Sequence, residues 1–229
     1  MEFKIKIPLT EIEADSLFQK ELQNEYQRMI NQYGNSFRQA SEMTNLPVQV
    51  LYSFAMIESR GTHNRASGEV IVTGTERSTG IMQISPNMFF EIYLKEIKDG
   101  RISDELKKYV RRYVDIDFDA QKPYTPANDS QREKIFNSLK AYNFNILASA
   151  IVLRRLLEES ANLDMTMRLD KVIVKYNVGY YSRPTRTDEY KTGDTTALLR
   201  VVPSITKDYI TNIVGRNGAM YFFIKNNIS

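Results

Sequence analysis

Residues 47–59 read PVQVLYSFAMIES, a nearly unbroken apolar run that ends in a carboxylate, Glu58, and a serine. In a helix, three apolar side chains of this run share a face with Glu58. They are Leu51, Phe54 and Ala55. Burial there raises the pKa of a carboxyl group, and the negative end of the helix dipole acts in the same direction. The run therefore predicts either an acid that keeps its proton near neutral pH, as a general acid must, or a solvated glutamate at a helix end.

Composition limits the classes of function. The chain has 229 residues, of which 42% are hydrophobic and 26% charged, as in an ordinary globular domain. No apolar run is long enough to insert into a membrane. The absence of cysteine and the presence of a single histidine, His63, exclude disulfides and thiolate ligands and predict neither a metal site nor a cofactor. A net charge of +3, with basic and acidic residues interleaved, gives no reason to expect nucleic acid as a partner.

Helical periodicity dominates the chain and predicts a mainly α fold. An apolar stripe ends near Gly34, a short helix follows, and Pro47 opens the helix that carries Glu58. Ser85 and Pro86 are typical of a helix start. Further helices are predicted over residues 103–114, 130–157 with a capping box at Ser130 and Glu133, 164–179 and 204–214, followed by an aromatic-rich tail over 218–225.

Two segments depart from the helical pattern. A β-branched run between glycines predicts a small β-hairpin or extended loop near residues 68–75. Residues 180–203 are polar and rich in threonine and arginine, and they predict a long loop of the kind that is usually functional or mobile. His63, just past Gly61, is predicted to lie in a loop at the rim of a substrate-binding cleft.

Three short motifs occur in order: Glu58-Ser59, STGIMQISP at residues 78–86 and YNVG at residues 176–179. This order resembles the lytic transglycosylase branch of the lysozyme superfamily, whose pattern is Glu-Ser, Gly-Leu-Met-Gln and Tyr-Asn-x-Gly. The resemblance covers roughly residues 44 to 222. It implies a lysozyme-like α+β fold with a helical core, a catalytic domain at 44–229, and an N-terminal helical extension at 1–43 packed on that domain.

The resemblance also implies a chemistry. Glu58 would protonate the glycosidic oxygen between N-acetylmuramic acid and N-acetylglucosamine, and would then deprotonate the C6 hydroxyl to leave a 1,6-anhydro end. Gln83, with Ser78 or Thr79, would bind the N-acetyl group, and Tyr176 would contact Glu58 or the sugar. For Ser59 and Asn177 two roles are equally compatible with the sequence: each residue contacts the substrate, or its side chain hydrogen-bonds at a helix end. The implied substrate-binding residues are Ser59, Ser78, Thr79, Gly80, Gln83, Tyr176 and Asn177.

Some features depart from the family pattern. Lys175 stands where alanine is usual, and the segment between Arg60 and Thr79 is longer than usual and contains Glu69 and Glu76. Either glutamate could be a second carboxylate that positions water, as in a goose-type muramidase that hydrolyses the same bond. A third alternative is a catalytically silent protein that binds the cell wall or forms part of a virion.

The N-terminus lacks the apolar stretch and cleavage site of a secretory signal. We therefore expect a phage product, carried in a virion or made in the host cytoplasm and delivered to the cell wall. Its predicted partners are peptidoglycan strands, with phage virion proteins docking through the N-terminal region.

Overall fold

The computed structural model of the chain describes residues 3–4, 10–63, 78–122, 125–161, 164–179 and 182–228. Over these ranges the chain is mainly helical, as the periodicity predicts, with a two-stranded parallel sheet. In chain order the elements are β1 (Thr10–Glu13), α1 (Ser16–Thr44), α2 (Val48–Ser59), α3 (Pro86–Lys98), α4 (Asp104–Arg111), α5 (Asp129–Ser138), α6 (Tyr142–Ser160), α7 (Leu169–Val178), a 3-10 helix (Pro184–Arg186), α8 (Asp188–Thr192), α9 (Thr195–Val201), α10 (Ser204–Val214), β2 (Gly215–Arg216) and α11 (Ala219–Lys225). The hairpin predicted near 68–75 lies outside the described residues.

Helix α6 lies at the centre of the core. Its residues from Phe144 to Leu153 are all buried, because α1, α3 and α7 pack around it. The sequence predicts one long or broken helix here, and the chain breaks it between Ser138 and Tyr142. The predicted capping box at Ser130 and Glu133 is wrong: Asn128 is the N-cap of α5 and exchanges hydrogen bonds with Gln131.

Helix α1 is continuous, whereas the sequence predicts a break near Gly34. A glycine inside a helix costs about 1 kcal/mol relative to alanine. Tyr33 and Phe37, on either side of Gly34, are buried in the core, and this packing offsets the cost. The N-terminal region therefore packs on α2 and α6, and β1 pairs with β2 near the C-terminus.

The C-terminal end of α2 is fixed by α1. Arg60 ends the helix with a positive φ of 56°, and Gly61 follows with φ 64°. A Cβ atom on Gly61 would lie 2.8 Å from the sulfur of Met29, so the two helices approach closely here. The Arg60 guanidinium pairs with Glu21 and lies over the ring of Phe18. These α1 contacts set the position of the helix end that carries Glu58.

Residues 182–203 are not a long irregular loop, as the sequence predicts, but contain the 3-10 helix, α8 and α9. Thr187 and Asp194 cap the two α-helices with their side chains. The segment is tied to the start of α7, which begins at Leu169 and not at the predicted Asp164. Asp170 is fully buried, accepts two hydrogen bonds from Arg168, and accepts a third from Thr195.

Candidate functional site

A tight turn over residues 79–84, here called the Gly80 turn, leads into α3. The Thr79 amide donates to the Ile84 carbonyl (3.2 Å), and the Gln83 amide donates to the Gly80 carbonyl (3.2 Å). Gly80 and Gln83 both have positive φ, of 80° and 46°. The hydroxyl of Ser85 then accepts from the Met88 amide, so the predicted start of α3 at Ser85 and Pro86 is confirmed.

The buried side chain of Asn145, in α6, forms hydrogen bonds with the main chain of the turn. Its Oδ1 accepts from the Met82 amide (3.0 Å), and its Nδ2 donates to the carbonyls of Thr79 (2.8 Å) and Leu139 (3.3 Å). A Cβ atom on Gly80 would lie only 2.3 Å from Nδ2. The family resemblance implies that Gly80 binds substrate, because a residue without a Cβ atom lets the backbone approach a sugar. The structure gives the glycine another reason, which is to leave room for this buried amide.

Two motif hydroxyls bind the same turn. Ser59 is buried, and its hydroxyl lies 2.7 Å from the Ile81 carbonyl and 3.1 Å from that of Ala55. Of the two roles predicted for Ser59, the structure shows the contact with a helix-end carbonyl. Tyr176 of α7 is also buried, and its hydroxyl donates to the Met82 carbonyl (2.7 Å). The two motifs that flank the turn along the chain thus contact its main chain directly.

Glu58 lies beside this assembly, half-buried in the last turn of α2. Burial raises the pKa of its carboxyl group to about 8. One turn earlier, the Phe54 ring meets the ring of Tyr176 edge-on, with centroids 5.2 Å apart. Burial, and then the charge of Glu58, raise the pKa of Tyr176 above its ordinary value. The carboxyl group is therefore mostly protonated at pH 7 and lies within electrostatic reach of Tyr176.

Tyr209 of α10 is a further neighbour that the predicted site lacks. Burial, and then the charge of Glu58, raise the pKa of Tyr209 to about 12. Three residues earlier in α10, the Thr206 hydroxyl donates to Oδ1 of Asn177 (2.6 Å), which joins α10 to the end of α7. A helical spacing of three places Thr206 and Tyr209 on one face. This spacing is the signal that could have added Tyr209 to the site.

The remaining predicted residues have mixed placements. Gln83 is nearly buried, and its Nε2 donates to the Gly80 carbonyl (2.7 Å). Thr79 is buried in the turn, and Ser78 is half-buried at the edge of a described range. The candidate second carboxylates, Glu69 and Glu76, lie outside the described residues, as does the rest of 64–77.

The described side chains can supply proton transfer but do not form a metal centre. Within the described ranges, no group of three or more histidine or acidic side chains could hold a metal ion. None of the helices in those ranges is long and apolar enough to cross a membrane. The chemistry that this arrangement offers is a carboxylic acid, protonated at neutral pH, next to a rigid turn.

Comparison of the chain with protein-family models, curated proteins and solved structures gives no match.

Proposed function

We propose that the chain is a peptidoglycan lytic transglycosylase with a lysozyme-like fold. The observation that carries the proposal is Glu58, a half-buried carboxyl group with a pKa raised to about 8, beside the Gly80 turn and Tyr176. A carboxyl group with a raised pKa is a candidate general acid when it lies next to a formed binding surface. The sequence resemblance adds the order of the three motifs, and the fold adds their convergence at one place.

The proposed reaction uses one carboxylate twice. Glu58 donates its proton to the glycosidic oxygen as the bond to C1 of N-acetylmuramic acid breaks. The carbonyl oxygen of the same sugar's N-acetyl group bonds to C1 and carries the developing charge as an oxazolinium. The Glu58 carboxylate then takes the proton of the C6 hydroxyl, and O6 displaces the acetamido oxygen from C1. The products are a free N-acetylglucosamine hydroxyl and a 1,6-anhydro end, and no water is consumed.

Supporting roles are assigned to the turn and its neighbours. Gln83, with Ser78 or Thr79, is proposed to bind the N-acetyl group, since an amide and a hydroxyl supply both a donor and an acceptor. Tyr209, within reach of the Glu58 charge, is proposed to contact the sugar beside Glu58. We further propose a phage origin, with delivery to the cell wall and virion docking through residues 1–43. Mass spectrometry of purified virions tests this last proposal, because a virion protein copurifies at constant stoichiometry.

The test is digestion of purified peptidoglycan by wild type and by Glu58→Gln. Wild type should clear the suspension and release muropeptides with anhydro ends, and the rate of Glu58→Gln should fall by roughly 10²–10⁴-fold because the acid is removed. Glu42→Gln, an exposed change on α1, is the matched control and should keep wild-type activity.

Each alternative predicts a different outcome of the same digestion. Ends one water heavier would replace the transglycosylase with a hydrolase that uses a second carboxylate such as Glu69 or Glu76. Equal clearance by wild type and Glu58→Gln would show that Glu58 is not the acid. Binding of wild type to the wall without clearance would favour a silent wall-binding or virion protein.

A further inference from the structure

His63 lies between two main-chain groups that belong to different parts of the site. Its Nε2 atom is 2.6 Å from the carbonyl oxygen of Lys140, just before α6. Its Nδ1 atom is 3.3 Å from the amide nitrogen of Ile81 in the Gly80 turn. The ring thus bridges the turn that carries Gln83 and the chain that leads into the central helix.

These two partners fix the state of the ring. A carbonyl oxygen can only accept a hydrogen bond, so Nε2 must carry a hydrogen. A backbone N–H group can only donate a hydrogen bond, so Nδ1 must carry no hydrogen and accept that bond. The neutral tautomer with hydrogen on Nε2 is the one form of the ring that makes both bonds. A protonated ring carries hydrogen on both nitrogens, keeps the bond to Lys140 and loses the bond to the Ile81 amide.

The charged and titratable groups around the ring come from several elements. Tyr142 of α6 meets the ring edge-on, with centroids 5.9 Å apart. The Lys140 ammonium donates to Asn137 Oδ1 and lies over a phenyl ring, so it has its own partners. Arg28 of α1 donates to the Thr62 hydroxyl next to the ring, and Glu58 lies in the last turn of α2, five residues before His63. Among these described groups, no carboxylate forms an ion pair with His63.

We propose that His63 is a positioning residue that helps to hold the Gly80 turn in place while the ring is neutral and loses its hydrogen bond to the turn when the ring gains a proton. This inference rests on the proposed function, and it concerns the regulation of the same site. It predicts an acid limb in the pH profile that belongs to His63. The basic limb belongs to Glu58, which must be protonated to act and loses its proton above a pKa of about 8.

The first experiment needs no substrate. Because His63 is the single histidine of the chain, its ring nitrogens can be assigned directly in a long-range ¹H–¹⁵N NMR spectrum. The spectrum at pH 8 should show the tautomer with hydrogen on Nε2. The backbone amide resonance of Ile81 should shift with the same midpoint as the ring when the pH is lowered. Hydrogen on Nδ1 at pH 8, or an Ile81 amide that ignores the ring titration, would overturn the proposal even if the protein cleaves no peptidoglycan.

The second experiment separates the two bonds with two amide side chains. In His63→Asn the Oδ1 atom replaces Nδ1 and accepts from Ile81 at every pH. In His63→Gln the longer side chain reaches Lys140 but offers the Ile81 amide no acceptor at the Nδ1 position. Loss of one neutral hydrogen bond corresponds to roughly a fivefold effect.

Both variants should lose the acid limb, but they should differ in their activity at pH 7. Wild-type kcat/KM should fall about fivefold below the ring's midpoint, mostly through KM, because the turn carries Gln83. His63→Asn should lose this acid limb and keep its activity within about twofold at pH 7. His63→Gln should be about fivefold less active at pH 7, again without an acid limb. An acid limb that persists in His63→Asn would refute the positioning role. A pH profile without a basic limb, or a Glu58→Gln variant that keeps its activity, would refute the proposed reaction instead.

Discussion

Replacing Gly80 with alanine should destabilise the chain by about 4–5 kcal/mol, as two separate effects show. The φ angle of 80° places an alanine in the left-handed region, which costs roughly 1–2 kcal/mol. The new Cβ would also lie 2.3 Å from Asn145 Nδ2, so the amide must move. That amide makes three hydrogen bonds to the main chain, at 2.8, 3.0 and 3.3 Å, and each is worth about 1 kcal/mol.

Gly100→Ala is the matched control for this substitution. Gly100 has a φ of 69°, but nothing lies within 4 Å of its Cβ position, so only the backbone effect of about 1–2 kcal/mol remains. Urea unfolding followed by circular dichroism at pH 7 measures both variants, with a constant m value as the check on two-state behaviour. In an Asn145→Ala background, Gly80→Ala should cost no more than Gly100→Ala. If the two glycine variants of the wild-type chain differ by less than about 1 kcal/mol, Asn145 does not hold the turn as argued.

Two further predictions concern buried carboxyl groups. Folding raises the pKa of Glu58 from 4.5 to about 8. The free energy of unfolding is therefore highest below pH 4.5 and decreases as the pH rises to about 8. Relative to Glu58→Gln, wild type should lose at most roughly 4–5 kcal/mol over this window, as measured by urea unfolding at several pH values. A parallel pH dependence of the two proteins would contradict this. Asp170→Asn should lower the free energy of unfolding by about 3–5 kcal/mol, because it leaves the Arg168 charge without its buried partner. The control is Asp188→Asn, in an exposed pair with Lys191, which should lower it by less than about 1 kcal/mol. Equal losses in thermal unfolding would count against the anchoring role of Asp170.

Two helix starts that carry a side-chain cap were predictable from local sequence. Ser85 caps α3, as expected, and α4 begins close to the predicted position, with Ser103 as its cap. The start of α5 was not, because two capping-box patterns overlap there, one from Asn128 to Gln131 and one from Ser130 to Glu133. Local chemistry permits both, and the choice depends on how the rest of the chain packs.

Long-range features had no local signal. The parallel pairing of β1 with β2 joins segments about two hundred residues apart, and neither strand shows a clear alternating pattern. The continuity of α1 through Gly34 depends on core contacts that no window of sequence contains. The hydrogen bond from Thr195 to Asp170, which pairs with Arg168, likewise joins a segment predicted to be a loop to the start of α7.

Several residues of the candidate site were predictable from the motifs, but Tyr209 and the contacts between the residues were not. The motif order placed Glu58, the Gly80 turn and Tyr176 together, and the described residues bring them together. Tyr176 was expected to contact Glu58 or substrate, and Ser59 to contact a sugar or a helix-end carbonyl. Both hydroxyls contact carbonyls of the turn, which the motifs did not predict. Those partners depend on how α2 and α7 pack against the turn, which no motif encodes.

The burial of Glu58 bears on the choice between an enzyme and a silent wall-binding protein. Ser59, Asn145 and Tyr176 shape the Gly80 turn, and a binding protein would need them as much as an enzyme would. Glu58 is different, because its raised pKa means that the folded chain loses stability whenever the group ionises. A glutamine at this position would avoid that cost and keep the size of the side chain. For binding alone, glutamine supplies a hydrogen-bond donor and an acceptor as well, whereas a general acid requires a proton that it can transfer. We therefore expect Glu58→Gln to be both inactive and more stable than wild type near pH 8, and a variant that is active, or one that is less stable there, would remove this argument for catalysis.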